Sequence, residues 1–196
     1  MTVRTQLLDA AARVYADGGY HGATTRRIAS AAGVNEITLF RHFGSKDVLL
    51  REALARCQGE DAVPLPDPPR NALLELTEWC REHLRDMLAR APLIRTALAE
   101  IAEHPGLVTP EVSCPTQAVS ALADYLGRLK RLGLASAAFE ERVAATMLMG
   151  VLFSDAIGRG IVPAMFVDEP DAAVAKYVTL FLRGIGADGG ASGSGA

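Results

Sequence analysis

Residues 24–45 read TTRRIASAAGVNEITLFRHFGS, and the fold turns on how this stretch is parsed. Two short helical patterns flank Ala32-Gly33-Val34. Ile28, Ala29 and Ala32 share a face of the first, and Leu39 and Phe43 share a face of the second, at amphipathic-helix spacing. A hydroxyl at Thr24 or Thr25 can accept the unpaired amide hydrogens of the first helix, and Asn35 can do so for the next. Gly33 supplies the backbone freedom of a tight turn, Val34 plugs the hinge, and Ala29 is small where two helices must cross closely. Gly44-Ser45 ends the second helix, and Ser45 is placed to cap another that begins at Lys46.

The neighbouring segments continue the helical pattern. Upstream, Val3, Leu7, Leu8, Ala11, Val14 and Tyr15 predict a helix over 3–17, stopped by Gly18-Gly19, after which Tyr20 turns back towards the core. Downstream, Val48, Leu49, Leu50 and Leu54 predict a helix over 46–57. Pro64, Pro66, Pro68 and Pro69 then make a helix over 61–69 unfavourable and mark a boundary. Five more helices are expected near 69–90, 92–104, 116–132, 137–157 and 169–185, with Ser136 and Asp168 as candidate caps of the last two. No strand-like alternation of any length and no internal repeat occurs. The expected fold is all-α: a helix-turn-helix bundle of three to four helices over 1–57, a Pro-rich connection over 58–69, a helical domain over 70–186 and a disordered tail over 187–196.

Composition removes several classes. With 49 % hydrophobic and 22 % charged residues the chain suits an ordinary globular protein. Its longest apolar run falls short of the roughly 18 residues that a membrane span needs, and its N-terminus has no apolar leader pattern. Cys57, Cys80 and Cys114 are too few and too dispersed for a disulfide framework or zinc cluster, which suggests a reducing, cytoplasmic setting. The net charge of −3 hides an asymmetry: eight basic residues against five acidic ones through Arg56, and twelve against eighteen thereafter.

The outward residues of the central stretch carry the functional reading. Thr25, Arg26 and Arg27 begin one helix, where hydroxyl, guanidinium and free amides can meet a phosphate. Lys46 begins another, and Arg41 and His42 close the helix between. Asn35, Glu36, Ile37, Thr38 and Phe40 face outward between these flanks. Asn and Thr can read base edges, Ile37 can meet a thymine methyl, Phe40 can lie against sugar and phosphate, and Glu36 can accept from a cytosine amino group or simply be solvated. A helix hairpin that only packs a core would show the same inward residues; the outward set favours double-stranded DNA.

At this point the sequence resembles the TetR/AcrR transcriptional regulators. The match runs through Ala11-Ala12, Gly19-Tyr20, Ala23-Thr24-Thr25, Ile28-Ala29, Ala31-Ala32-Gly33-Val34, Thr38-Leu39-Phe40, His42-Phe43, Ser45-Lys46-Asp47 and Leu49-Leu50. The resemblance implies a homodimer on an operator with inverted half-sites, and a C-terminal helical domain that binds a small effector. The family usually has tyrosine where this chain has Phe40, and many members have a small or basic residue where it has Glu36.

The C-terminal part has no motif of similar strength. Trp79, Cys80, His83, Met87, Glu100, Met147 and Phe153 are candidates for an effector pocket, although core packing explains most of them as well. Met147, Val151, Tyr177, Leu180, Phe181 and Gly184 are candidates for a dimer surface, or for closing the monomer's own core. Glu100, Glu103 and His104 lie at helical spacing, with His83 a candidate neighbour; such a set can bind a metal or hydrogen-bond an effector, but more often forms a solvated face and a helix-terminal cation, and no metal is assigned. Gly184, Gly186 and Gly189 spell a dinucleotide-type pattern but close a helix where that motif must open one. No catalytic residues or cofactor are assigned, and the expectation is a repressor relieved by a small apolar or amphipathic effector. The alternative is a small-molecule-binding or enzymatic helical protein whose N-terminal bundle is only structural.

Overall fold

The computed structural model describes residues 2–56, 64–107 and 114–187. These fold into nine α-helices: α1 Val3–Gly22, α2 Thr25–Ala31, α3 Glu36–Phe43, α4 Lys46–Arg56, α5 Ala72–Ala89, α6 Ala91–Glu100, α7 Cys114–Arg131, α8 Glu141–Gly158 and α9 Pro170–Gly184. A short 3-10 turn, Pro163–Met165, separates α8 from α9. Among the described residues, no helix is long and apolar enough to cross a membrane. Contacts divide the chain into two units, 1–60 with 89–114 and 61–88 with 115–196. The described residues 89–107, grouped with the domain 70–186 by sequence, thus cluster with the N-terminal helices. The expected tail over 187–196 lies outside the described residues except for Ala187.

The first unit is organised by α1, which packs on α2, α4 and α6. Leu7, Leu8, Ala11, Val14 and Tyr15 form its buried stripe, meeting Ile28 and Ala29 of α2, Leu39 and Phe43 of α3, Leu49 and Leu50 of α4, and Leu93 of α6. Each buried leucine removes enough apolar surface to contribute about 1.5–3 kcal/mol before entropy is counted. The expected stop after Asp17 is partly corrected: helical geometry continues to Gly22, interrupted by Gly19 at φ 64°, ψ −168°.

Three caps position the central stretch. Thr24 accepts the Arg27 N–H at 3.3 Å, Asn35 accepts Ile37 N–H at 2.9 Å, and Ser45 accepts Val48 N–H at 3.2 Å. Gly33 sits at φ 70°. Its N–H donates to the Ser30 carbonyl at 3.1 Å and that of Val34 donates to Ala29 at 3.0 Å. This pair of bonds ends α2 in a left-handed glycine turn and aims α3 away from it.

In the second unit, α5, α7, α8 and α9 enclose Leu76, Trp79, Leu84, Leu122, Tyr125, Leu126, Leu129, Leu148, Leu152, Val174 and Val178. The start of α5 carries a reciprocal cap: Asn71 accepts the Leu74 N–H at 3.1 Å while Glu75 accepts that of Asn71 at 2.8 Å. Two expected caps are corrected. Ser136 accepts the Ala138 N–H at 3.1 Å in a local turn, and α8 begins only at Glu141. Asp168 is occupied by Lys176 at 2.7 Å, so α9 begins at Pro170 without a side-chain cap.

Candidate nucleic-acid interface

The α3 helix is half buried by its own pattern. Leu39 and Phe43 face the core at 0 % and 6 % exposure, which turns Ile37 (74 %) and Phe40 (46 %) to solvent. Asn35, Arg41 and His42 are also exposed, while Glu36 and Thr38 are half-buried. An eight-residue helix held by two apolar anchors and an Asn cap thus presents one mixed polar and apolar face.

The flanking residues are more engaged than their sequence positions suggest. The Thr25 hydroxyl donates to the Glu36 carboxylate, joining the first turn of α2 to that of α3. Glu36 is therefore neither simply solvated nor fully free to meet a base. Arg27 Nη1 donates to the Gly22 carbonyl at 2.7 Å, closing the end of α1, and both Arg26 and Arg27 are exposed. Lys46 Nζ donates to the Tyr20 carbonyl at 2.8 Å and stands 3.5 Å from the centre of its ring. Burial lowers the pKa of this ammonium, and the Asp47 and Glu100 carboxylates oppose that shift. One of its three donors is committed to that carbonyl and the ammonium also faces the ring, which leaves its outward side for a phosphate.

Tyr20, assigned by sequence only to packing, is the hub of this corner. Its N–H donates to both Glu100 oxygens at 2.9 Å, and its hydroxyl donates to Asp47 at 2.5 Å. The Asp47 hydrogen bond, followed by burial, raises the phenol's pKa. A glycine–aromatic step after the first helix is the signal for such a corner. Its partner on α6 lies eighty residues away and leaves no local trace.

The effector candidates do not converge as a set. Glu100 belongs to the first unit and is spent on Tyr20. Trp79 and Cys80 lie in the second unit's core, with burial pushing the Cys80 thiol up to about 12, far from a reactive thiolate. His83 stacks on Trp79 at 3.8 Å and its Nδ1 meets the Trp79 carbonyl at 2.9 Å; burial lowers its pKa. Met87 packs on the same core, Phe153 is half-buried, and Met147 is 65 % exposed.

The dimer candidates divide more usefully. Met147 (65 %), Val151 (41 %) and Leu180 (73 %) are exposed on α8 and α9, which pack on each other, and Val143 (53 %) extends the stripe. Gly184 is exposed, and a Cβ built on Gly150 or Gly184 meets no atom within 4 Å. Phe181 is half-buried, and Tyr177 turns inward to donate to the fully buried Asp155 at 2.7 Å. Asp155 is also paired with Arg159 at 2.5 Å, which satisfies a charge that would be costly alone.

Comparison with known proteins gives this geometry a context. The profile of the bacterial regulatory proteins of the tetR family matches residues 7–53, covering α2 and α3 and their supports. Over 184 residues the chain is 26 % identical to the uncharacterized HTH-type transcriptional regulator YvkB of Bacillus subtilis, covering 93 % of this chain and 97 % of that one. It is 40 % identical over 86 residues to the HTH-type transcriptional repressor Rv1474c of Mycobacterium tuberculosis, 44 % of this chain and 41 % of that protein. Its fold matches a tetR-family transcriptional regulator structure from Mesorhizobium loti with a TM-score of 0.73 at 20 % identity, over 94 % of this chain and 96 % of that one.

Proposed function

We propose, because the chain belongs to the TetR family of bacterial regulatory proteins and is a DNA-binding transcriptional regulator, that it is a homodimeric repressor released from its operator by a small apolar or amphipathic effector. The observation that carries the DNA-reading part is the exposed face of α3, with Ile37 and Phe40 outward while Leu39 and Phe43 lock the helix from behind. Asn35–His42 enters a major groove. Thr38, Ile37 and the Glu36 carboxylate meet base edges, with Glu36 aimed by the Thr25 hydroxyl. Arg26, Arg41 and the free donors of Lys46 meet phosphates on either side.

Two copies pair through the apolar stripe of α8 and α9, where Met147, Val151, Leu180 and the exposed glycines permit close helix approach. Pairing sets two α3 helices against half-sites about 34–36 Å apart. An effector held by the helical unit of α5 and α7–α9 moves the equilibrium between matched and unmatched spacings by its differential affinity for them. Repression is supported by the likeness to Rv1474c, an HTH-type transcriptional repressor, and a role on DNA supports a cytoplasmic setting.

Duplex titrations with substituted proteins test the division of labour. Lys46→Ala is expected to weaken binding about equally on all sequences and to lower the magnitude of the salt slope by about 1. Thr38→Ala is expected to cost about 1–3 kcal/mol on the preferred duplex and little on others. Equal losses on all duplexes for Thr38→Ala would remove α3 from base reading.

A further inference from the structure

A second site lies on the first unit, on the side of Tyr20 where α1 ends. His21 ends α1, and Glu103 and His104 occupy the turn that follows α6. The Glu103 and His104 N–H groups both donate to the Glu100 carbonyl, at 3.0 and 2.9 Å, which folds that turn back over the end of α1. One ligand atom from each of His21, Glu103 and His104 lies within 4.8 Å of the other two. We infer that these three side chains form a binding site for a divalent transition-metal ion of the zinc class, clasping the end of α6 to the end of α1.

The arrangement is held by its surroundings. The His104 ring lies 4.0 Å from the Tyr20 ring, and His21 packs edge-on to both, at 5.7 and 5.8 Å. Tyr20 is itself fixed by Glu100 at its amide, Asp47 at its hydroxyl and Lys46 on its ring. Neither imidazole is spent on another described residue's hydrogen-bonding group, and the His104 Nε2 is enclosed without a partner. The Lys46 charge nearby is opposed by the carboxylates of Asp47 and Glu100, and Glu103 adds a carboxylate to the ligand set itself, so a dication is not approaching a purely positive corner.

The donor set decides the ion. Two imidazoles and one carboxylate are poor ligands for calcium or magnesium, which take oxygen shells, and suit zinc or its neighbours. Zinc–nitrogen bonds of about 2.0–2.1 Å place tetrahedral ligands about 3.3 Å apart. The three atoms must therefore close by about 1.5 Å at most, a movement that side-chain rotation of the exposed His21 and Glu103 provides. Three protein ligands leave a fourth position for water. The site depends on neither DNA nor an effector, so it stands or falls separately from the reading of α3.

The test uses the untagged full chain, stripped of metal, titrated with zinc chloride alone against a chromophoric chelator. One zinc per chain is expected, with His21→Ala and Glu103→Gln each weakening it at least about 100-fold, the upper end of what losing a mere supporting group costs. Both positions are exposed, so circular dichroism should be unchanged by either substitution. Zinc at about ten times its dissociation constant contributes about 1.4 kcal/mol and should raise the melting temperature of the first unit by about 6–11 °C in the parent and not in the variants. Cobalt in place of zinc should give the intense visible bands of a tetrahedral centre. Absence of stoichiometric zinc overturns the site. So does zinc held equally well by both variants, which would place it on other groups.

Discussion

Replacing Gly19 by alanine puts the corner between α1 and α6 under the severest single test. At φ 64° and ψ −168° Gly19 occupies a region nearly closed to residues with a side chain, where such a residue costs about 1–3 kcal/mol. An added Cβ would also stand 2.1 Å from Glu100 Oε1. The carboxylate must then leave the Tyr20 N–H that it accepts at 2.9 Å. Loss of that charge-assisted bond at a half-buried site adds about 1 kcal/mol after discounting for water on its open side. The expected total for Gly19→Ala is about 3 kcal/mol. Its neighbour provides the control. Gly18 is helical, and a Cβ there meets only the far end of Arg27, with Nη1 at 3.2 Å. Alanine gains about 0.5–1 kcal/mol over glycine in such a position, so Gly18→Ala should be neutral or slightly stabilising. Urea and thermal unfolding of the full chain, followed by far-ultraviolet circular dichroism, separate the two. A loss of about 3 kcal/mol should lower the first unit's melting temperature by roughly 12 °C or more. Gly19→Ala within about 0.5 kcal/mol of the parent, a change typical of surface sites, would refute the geometry assigned to this corner.

Other expectations follow from single contacts. Glu75 is partly buried, which raises its pKa, but the Tyr125 hydroxyl and the Asn71 and Arg70 N–H groups outweigh burial and hold it below the ordinary 4.5. A depressed carboxyl contributes its full stability above the unfolded value and loses it as pH falls through the folded one. Tyr125→Phe should therefore cost about 1–2 kcal/mol at pH 7, and the gap to the parent should narrow below pH ~4.5, as measured by urea unfolding across pH. Leu180→Glu places a charge on the exposed α8–α9 stripe, and sedimentation should move from twice 20.8 kDa towards 20.8 kDa at micromolar concentration; a dimer of parental strength would remove that stripe from the interface. Asn35→Ala removes the cap of α3 and should cost about 1 kcal/mol in urea unfolding, with Thr24→Ala similar at α2.

What sequence could show was what local chemistry decides. Thr24, Asn35 and Ser45 cap the helices their positions suggested, Gly33 makes the turn, and Ile37 and Phe40 point outward because Leu39 and Phe43 must point inward. Contacts between distant residues escaped. Helical spacing placed Glu100 on a face of α6, but not against Tyr20. Equally, it put Glu103 and His104 side by side without hinting that His21 would join them. A helix's own periodicity does not say which core it will enter, which is why α6 reads as part of the C-terminal set yet packs on α1. Ser136 and Asp168 looked like caps because their residue types favour that role, and competing partners took them: the Ala138 amide for one, Lys176 for the other.

Selection of bound duplexes from a random library, followed by salt titration of the enriched sequence, tests the central claim most directly. The expected product is an inverted repeat with half-site centres about 10–10.5 base pairs, or a multiple, apart. Its affinity should fall by roughly 10³–10⁵ between about 50 and 200 mM salt if six to ten phosphates are neutralised. Ile37→Asp, which leaves the buried anchors Leu39 and Phe43 in place, should abolish the enrichment while the helices remain folded. No enriched sequence from the parent protein, or the same sequence enriched by Ile37→Asp, would contradict the assignment of α3 as the reading helix.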